Sequence, residues 1–197
     1  MEIKKEHHYA LVALGIAALV ILAWVLILSR IQQSLTLQQP TPRASHSVVV
    51  TAMHITSSVF SQNERIPSPY TCQGENVNPP LVVDGVPSRA KSIAFIMDDP
   101  DAPSGVWTHW LWWNASASLH YIPQNSIPAG VTQGTTSAGT IGYHGPCPPS
   151  GTHRYIFHIY ALDVLISLPS SAGADALRTA MEGHILAQGQ LIGLYAK

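Results

Sequence analysis

Two aromatic and β-branched runs constrain the fold of this chain more than any other feature of its sequence. They are VWTHWLWW over Val106–Trp113 and HRYIFHIYALD over His153–Asp163. Aromatic and β-branched residues favour strands. Both runs are apolar at successive positions, so both faces of each strand need a covering layer. The two runs are therefore predicted to be central strands of a sheet that is covered on both sides.

Shorter segments complete the prediction of a mostly β domain. VVVTAMHIT over Val48–Thr56 and SIAFIMD over Ser92–Asp98 are predicted strands. Asn125–Gly151 is too rich in glycine and proline for a helix. One helix is predicted over Ala174–Gln188, because apolar residues recur there at i, i+4, and a last strand comes after it. The expected fold is sandwich-like, with a helix near the C-terminus.

An apolar segment precedes this domain. Tyr9–Ser29 contains no charged residue, and about 20 apolar residues in a helix span roughly 30 Å of hydrocarbon. A cleaved signal peptide is the alternative, but its apolar region is shorter and ends in a small-x-small cleavage site. We therefore expect a tail over residues 1–8, a transmembrane helix over 9–29, a polar linker over 30–47 and one domain over 48–197. A single N-terminal anchor in the cell membrane usually exports the domain attached to it, so the domain is expected outside the cytoplasm.

Charge and size exclude two classes of protein. From Ser47 onward six Lys and Arg face nine Asp and Glu, a net charge of 6 − 9 = −3, and no basic run occurs. Nucleic-acid binding is therefore not expected. About 150 residues also bury enough surface that folding need not depend on a metal or a disulfide.

An acidic loop provides the first candidate binding residues. DDPDAP over Asp98–Pro103 comes directly after a predicted strand. Asp99 and Asp101 are two positions apart, so in an extended segment their side chains face the same way. Buried carboxylates this close together would repel each other, and they need donors, a cation or solvent. The alternative for this motif is a solvated acidic turn.

Two pairs of a histidine and an aromatic residue provide the others. Trp107 and His109 share one face of their predicted strand, and His153 and Tyr155 share one face of theirs. A single histidine on a strand is more often structural, but two such pairs can supply ring N–H donors, a phenol hydroxyl and an aromatic wall. GPCPPSG over Gly145–Gly151 leads into the second pair, where it forms either part of the site or a rigid turn.

These motifs together resemble the phosphatidylethanolamine-binding protein family, in its bacterial, Raf-kinase-inhibitor-like branch. The similarity rests on DDPDAP, on His109–Trp110 and on GPCPPSGTHRY over Gly145–Tyr155, and it runs from about Ala52 to Lys197. It implies an antiparallel β fold with a small pocket for anionic or phosphorylated head groups. Carried over by motif position, the pocket residues are Asp99, Asp101, Trp107, His109, Gly145, Pro146, His153 and Tyr155.

The resemblance implies two further features of the backbone and the cysteines. Family members often carry cis peptide bonds in the acidic loop, which makes Pro100 and Pro103 candidates. Cys72 and Cys147 lie in segments that the family places towards the pocket end. An exported domain meets oxidising conditions, so a disulfide between them is expected, and two free thiols are the alternative.

The expected function is binding without turnover of a small anionic or zwitterionic phosphorylated ligand such as phosphoethanolamine. Its ammonium would face Asp99 and Asp101, and its phosphate would face His109 and His153. Inhibition of a protease or kinase through the same domain is one alternative, although the sequence indicates no particular protein partner. A hydrolase is another, but no Gly-x-Ser-x-Gly motif is present. Neither His-x-x-x-His nor Cys-x-x-Cys spacing occurs, which leaves a convergence of His109, His153 and an aspartate as the alternative for a metal, and no catalytic residue, metal or cofactor is assigned.

Overall fold

The computed structural model describes residues 21–32 and 51–197 of the chain. The chain divides into two compact units, Met1–Ser47 and Val48–Lys197, and each unit is described by itself. In the first unit, residues 21–32 form helix α1.

Helix α1 corrects the prediction of a transmembrane helix over Tyr9–Ser29. Within residues 21–32 and 51–197 no helix is both long enough and apolar enough to cross a membrane. Residues 30–32, predicted as linker, belong to α1. The remainder of the predicted tail, anchor and linker lies outside the described residues.

The second unit is mostly β. Its elements are β1 (Thr51–Ala52), β2 (His54–Thr56), β3 (Glu64–Arg65), β4 (Leu81–Asp84), β5 (Ser92–Asp99), β6 (Trp107–Ser116), β7 (Tyr121–Ile122), β8 (Thr132–Gln133), β9 (Thr152–Leu162), α2 (Ala174–Met181) and β10 (Ile185–Ala196). The two aromatic runs are confirmed as the long strands β6 and β9, and the short apolar run is confirmed as β5. The predicted strand over Val48–Thr56 is divided between β1 and β2, and its first three residues lie outside the described residues.

Two sheets form the sandwich that the sequence predicts. The large sheet has the order β1-β10-β9-β5-β6-β8, and β3 also pairs with β10. Its four long strands, β10, β9, β5 and β6, pair antiparallel with one another, whereas β1 and β3 run parallel to β10. The small sheet has the order β2-β4-β7.

An aromatic core lies on the inner face of the large sheet. Phe95 of β5 stacks on Trp112 of β6, with ring centres 5.1 Å apart and planes within 9°. The same phenylalanine meets Trp110 edge to face at 5.2 Å. Ile55 and Leu81 of the small sheet pack into this core. Stacked and edge-to-face pairs stabilise a core beyond the area that they bury.

Helix α2 covers only part of the outer face. Leu177 and Met181 of α2 pack with Ile96 of β5 and Trp113 of β6, so both faces of β6 are buried as predicted. In β9, by contrast, every second residue from Arg154 to Tyr160 keeps contact with solvent. The prediction that β9 is covered on both sides is therefore wrong for the outer face of this segment.

The helix is shorter than predicted because its last residues join the sheet. Helix α2 ends at Met181, and the backbone N–H of His184 donates to the Met181 carbonyl at 3.0 Å. Gly183 lies just after the helix with φ 77°, a left-handed conformation that glycine adopts without strain. The apolar residues from Ile185 onward then pair with β9. An i, i+4 pattern does not distinguish a longer helix from a helix followed by a buried strand.

The cysteines pair as expected, but the acidic loop contains no cis bond. Cys72 and Cys147 form a disulfide whose Cα atoms are 5.4 Å apart, and this confirms the predicted pairing. The bridge spans 75 residues of sequence, a separation for which chain entropy suggests about 4 kcal/mol of stabilisation. Within the described ranges no peptide bond is cis, so the prediction for Pro100 and Pro103 is wrong.

Candidate functional site

The order of the long strands brings the predicted site residues together at one end of the sheet. β5 lies between β6 and β9 and runs antiparallel to both. Its last residue, Asp99, therefore meets the first residues of the two neighbouring strands, which include Trp107 and His153. A cavity of about 290 Å³ opens at this point.

The cavity is lined by residues from strand ends and two loops. They are Asp99, Ala102, Pro103, Ser104, Trp107, His109, Cys147, Pro148, Pro149, His153 and Tyr155. We call Cys147–Pro149 the cavity wall. Five predicted site residues line the cavity: Asp99, Trp107, His109, His153 and Tyr155. Three are not among the lining residues: Asp101, Gly145 and Pro146.

A β-bulge aims His109 into the cavity. Met97 of β5 pairs with Trp110 of β6, but the next residue, Asp98, pairs with Thr108. His109 is therefore an extra residue between two paired positions. Bulges redirect a side chain and are common beside functional sites. This one lets His109 line the cavity while Trp110 remains in the core.

Asp99 orients His153. The Nδ1–H of His153 donates to Oδ2 of Asp99 at 2.7 Å, and the side chains are 9% and 5% exposed. The second carboxylate oxygen of Asp99 accepts the backbone N–H of Asp101 at 2.9 Å. Both oxygens are thus engaged by the protein. The hydrogen bond at Nδ1 fixes the tautomer of His153 and leaves Nε2 as its second ring nitrogen.

His109 is oriented in the same way by a backbone carbonyl. Its Nδ1–H donates to the carbonyl oxygen of His144 at 2.8 Å, and the His144 N–H donates back to the His109 carbonyl at 3.0 Å. Burial lowers the pKa of His109 below its usual value of 6.5, against the opposing effects of the His144 carbonyl and the Asp99 carboxylate. At neutral pH the ring is therefore uncharged, with a lone pair on Nε2.

Tyr155 carries a buried hydroxyl group without a hydrogen-bond partner. Its residue is fully buried and its hydroxyl makes no hydrogen bond of normal geometry, although the Cys147 N–H and the Asp99 carboxylate lie close enough to affect its pKa. The ring meets His109 edge to face, with centres 5.1 Å apart. Burial, together with the charge of Asp99, raises the pKa of Tyr155, so the hydroxyl keeps its proton at neutral pH. A buried donor without a partner costs about 1–3 kcal/mol, which a bound acceptor would recover.

Asp101 points away from Asp99, contrary to the prediction that the two carboxylates face the same way. Its oxygens accept from Nε of Arg154 at 2.9 Å and from a terminal nitrogen of Arg154 at 2.6 Å. These hydrogen bonds lower the pKa of Asp101 to about 2. β5 ends at Asp99 and the chain turns there, so the alternation of an extended strand no longer holds.

The acidic loop therefore offers no free carboxylate for an ammonium group. The oxygens of Asp99 are engaged by His153 and by the backbone N–H of Asp101, and those of Asp101 by Arg154. The predicted orientation, with an ammonium group against this loop, is not supported by this arrangement.

Gly145 and Pro146 hold the loop behind the cavity wall. The Gly145 N–H donates to Oδ1 of Asn76 at 2.7 Å, and the Cys72 N–H donates to the Pro146 carbonyl at 3.1 Å. A Cβ atom on Gly145 would lie 2.7 Å from the carbonyl oxygen of Tyr70. Only glycine allows this close approach of two backbone segments.

Sequence reasoning missed several contributors to the site. Ser104, Ala102 and the prolines of the wall line the cavity, and His144 orients His109 through its carbonyl. The wall residues lie within the GPCPPSG motif, which was the available signal for them. No sequence signal marks His144, because its contribution is a backbone atom.

A larger depression of about 490 Å³ lies elsewhere on the domain. Its lining contains amides and hydroxyls but no carboxylate, imidazole, ammonium or guanidinium group: Asn76, Val77, Asn78, Trp110, Asn125, Ser126, Ile127, Gln133, Gly142 and Tyr143. The smaller cavity combines its titratable side chains with an unpartnered hydroxyl, so it is the better candidate site. Residues 21–32 and 51–197 contain no cluster of three or more His, Cys, Asp or Glu that could hold a metal ion.

Comparison with known proteins agrees with this architecture. The sequence profile of the family described as phosphatidylethanolamine-binding protein matches residues 56–196. The chain belongs to the phosphatidylethanolamine-binding protein family. This confirms the resemblance that the sequence motifs indicated.

Similar proteins occur in archaea and bacteria. The UPF0098 protein of Methanothermobacter thermautotrophicus is 49% identical over 150 residues, which cover 74% of this chain and 99% of the relative. A crystal structure of a putative phosphatidylethanolamine-binding protein homologue from Chlamydia trachomatis has a TM-score of 0.71 and 41% identity. E. coli YbcL, described as a new member of the mammalian family, has a TM-score of 0.70 and 28% identity. Both matches cover 75% of this chain and 99% of the other.

Replacing Gly145 should loosen this site. In Gly145→Ala the new methyl group would lie 2.7 Å from both the Asn76 side-chain oxygen and the Tyr70 carbonyl oxygen. We expect the free energy of unfolding to fall by about 1–3 kcal/mol, the usual effect of overpacking. Urea denaturation of the variant and the parent chain measures this, and an unchanged midpoint would show that the loop adjusts without cost.

Proposed function

We propose that the domain binds a small phosphomonoester of the phosphoethanolamine type in this cavity and releases it unchanged. The family is shown, but a fold does not determine the ligand. The proposal rests on the unpartnered hydroxyl of Tyr155, which shares the cavity with His109 and His153.

The histidines and Tyr155 supply complementary groups for a phosphate. Nδ1 of each ring is engaged by a protein acceptor, so Nε2 is left for a ligand. Neutral His109 accepts a hydrogen bond at Nε2, and the P–OH group of a monoprotonated phosphate donates one. Tyr155 donates from its hydroxyl to a charged phosphate oxygen, and Nε2 of His153 lies in the same cavity as a further group for the phosphate.

The charge around the cavity favours a singly charged phosphate. No Lys or Arg is among the lining residues, and Arg154 is engaged with Asp101 at the surface. A dianion would meet the negative charge of Asp99 without a compensating permanent cation. The monoanion carries less charge and brings the P–OH donor that neutral His109 needs.

The size of the cavity favours a head group over a whole lipid. Its volume of about 290 Å³ lies at the lower limit of pockets for small molecules. The amine of phosphoethanolamine would extend towards the mouth of the cavity, because the carboxylates of the acidic loop are already engaged.

The nature of the phosphate ester tests this assignment. Phosphoethanolamine is a monoester with a P–OH group, whereas glycerophosphoethanolamine, the deacylated lipid head group, is a diester without one. We expect the monoester to bind about three- to fivefold more tightly at about pH 6, because one hydrogen bond is worth about five- to tenfold and about half of the monoester carries the P–OH proton there. Calorimetric titration of both ligands measures it. Equal affinities would contradict the acceptor role of His109 and favour the lipid head group as ligand.

The affinity for the monoester should also depend on pH. A phosphomonoester loses its second proton near pH 6, and burial keeps His109 neutral down to a pH below its usual pKa. Binding of the monoester should therefore tighten as the pH falls from about 8 to about 6, with uptake of up to one proton. The diester should show little change over this range. Affinity for the monoester that does not vary with pH would contradict the proposed charge state.

A pair of tyrosine variants separates binding from stability. In Tyr155→Phe we expect phosphoethanolamine to bind about five- to tenfold more weakly, without any loss of folding stability, because the removed hydroxyl makes no hydrogen bond of normal geometry in the protein. Tyr143→Phe is the matched control, since its hydroxyl donates to the Tyr70 carbonyl at 2.7 Å. It should lower the free energy of unfolding by about 1 kcal/mol and leave ligand affinity nearly unchanged. Calorimetry and urea denaturation give both quantities, and the reverse pattern would exclude Tyr155 from the binding site.

One observation favours hydrolysis as a second candidate. Asp99, His153 and the hydroxyl of Ser104 belong to the same cavity, and the first two are already hydrogen-bonded as in a catalytic triad. In the described residues no hydrogen bond joins Ser104 to His153, so binding without turnover remains our proposal.

Prolonged incubation distinguishes these two functions. We expect phosphoethanolamine to be recovered intact and p-nitrophenyl acetate to be hydrolysed no faster than in buffer. Turnover that disappears in Ser104→Ala would instead establish the hydrolase.

A further inference from the structure

We propose that the disulfide between Cys72 and Cys147 is a redox switch for the ligand cavity. Oxidised, it holds the cavity wall in the position that closes the site, and its reduction by a dithiol releases the wall and weakens ligand binding. The inference rests on the proposed binding of a phosphomonoester, and it adds a means of regulating it.

The bridge is accessible and belongs to the site. Cys147 lines the cavity together with Pro148 and Pro149. Both cysteines are exposed to solvent, although most of the lining side chains are buried or half-buried. Exposed disulfides are reduced more readily than buried ones and are more often regulatory.

The Cys72 side of the bridge is firmly attached to the fold. The N–H of Thr71 donates to the Ser68 carbonyl at 3.0 Å. Gln73 accepts a hydrogen bond from the hydroxyl of Tyr195, a fully buried residue of β10. Cys72 therefore has a fixed position whether or not the disulfide is intact.

The position of the cavity wall, on the Cys147 side of the bridge, depends on the disulfide. The loop is held up to Pro146 by the hydrogen bond between its carbonyl and the Cys72 N–H. In the described part of the chain, no hydrogen bond or ion pair involves Pro148, Pro149 or Ser150. Gly151 then has φ 71°, and no atom lies within 4 Å of where its Cβ would be, so the chain can pivot there. Between Pro146 and β9, the disulfide is the covalent constraint on the wall, and the packing of the buried Pro148 is the other.

A second contact connects the wall to the ligand-binding groups. The backbone N–H of Cys147 faces the hydroxyl of Tyr155, where it opposes the rise in the pKa of that phenol. Movement of Cys147 therefore changes the surroundings of the hydroxyl on which the proposed function rests. It also opens the side of the cavity that the prolines cover, which lets water compete for His153 and Tyr155.

The chemistry of the switch is ordinary thiol–disulfide exchange. A thiolate of the dithiol attacks one cysteine sulfur, the S–S bond breaks, and the other cysteine leaves as a thiolate that takes up a proton. The second thiol of the reductant then resolves the mixed disulfide. The protein gains two thiols, and the dithiol is oxidised to a disulfide.

Calorimetry with phosphoethanolamine on the full chain tests the proposal. The oxidised protein, the protein reduced by dithiothreitol and the reoxidised protein are compared, with free thiols counted by labelling and folding monitored by far-ultraviolet circular dichroism. We expect reduction to expose two thiols, leave the circular dichroism unchanged and weaken binding at least fivefold, and reoxidation to restore the affinity. The double variant Cys72→Ser, Cys147→Ser is the matched control. It should bind like the reduced protein and should not respond to dithiothreitol.

Amide hydrogen exchange of residues 147–153 without ligand reports on the wall itself. Faster exchange there on reduction, with unchanged exchange in β5, supports the switch. The switch would be overturned if the oxidised and reduced proteins bound phosphoethanolamine with affinities within twofold of each other while two thiols are titrated. Global unfolding on reduction would also overturn it, because the bridge would then stabilise the whole fold. Absence of binding in the oxidised protein would instead refute the proposed function. The exchange measurement alone would then decide whether reduction releases the cavity wall.

Discussion

Two adjacent carboxylates at the end of β5 are both buried, and much of the structure is arranged around their need for partners. Asp98 and Asp99 are each 3% exposed, and a strand directs them to opposite faces of the sheet. An isolated buried charge costs several kcal/mol, so each carboxylate needs donors on its own side. On the outer face, Asp98 accepts from Thr108 at 2.9 Å and pairs with Arg178 of α2. On the inner face, Asp99 accepts from His153 at 2.7 Å.

The end of β5 connects helix α2 on the outer face of the sheet with the cavity on the inner face. Arg178 ties α2 to Asp98 on the outer face, beside the apolar contacts of Leu177 and Met181. On the inner face, Asp99 fixes the tautomer of His153 and also accepts the N–H that starts the acidic loop. The site is therefore built on rigid strand ends, and loops supply only its rim. Sites of this kind keep their geometry without a bound ligand.

Under the proposed function, the cavity would select its ligand by hydrogen-bond type more than by charge. Its donors and acceptors are ring nitrogens with one side already engaged and a phenol with no partner, and no permanent cation is among its lining residues. A site of this kind discriminates by leaving polar groups unpaired when the wrong ligand binds. Closing the cavity against water strengthens such contacts, so the wall at Cys147–Pro149 would support the proposed binding although it contributes few polar groups.

The sequence alone determined the long strands and most of the residues at the site. The runs that became β5, β6 and β9 are apolar and β-branched over enough residues to be recognised, and the i, i+2 rule paired Trp107 with His109 and His153 with Tyr155 correctly. These inferences use only local geometry. The same rule failed for Asp101, because the strand ends at Asp99 and the chain turns towards Arg154.

Tertiary structure decided everything that depends on which strands are neighbours. The i, i+4 pattern after Met181 belongs to a strand, because β9 offers it a pairing edge. The bulge that turns His109 into the cavity is a mismatch of register between β5 and β6, and no local pattern encodes a register. The position of β5 between two antiparallel strands brings Asp99 to His153, 54 residues away in sequence. Side-chain periodicity reports on one element at a time, whereas a binding site is made where several elements meet.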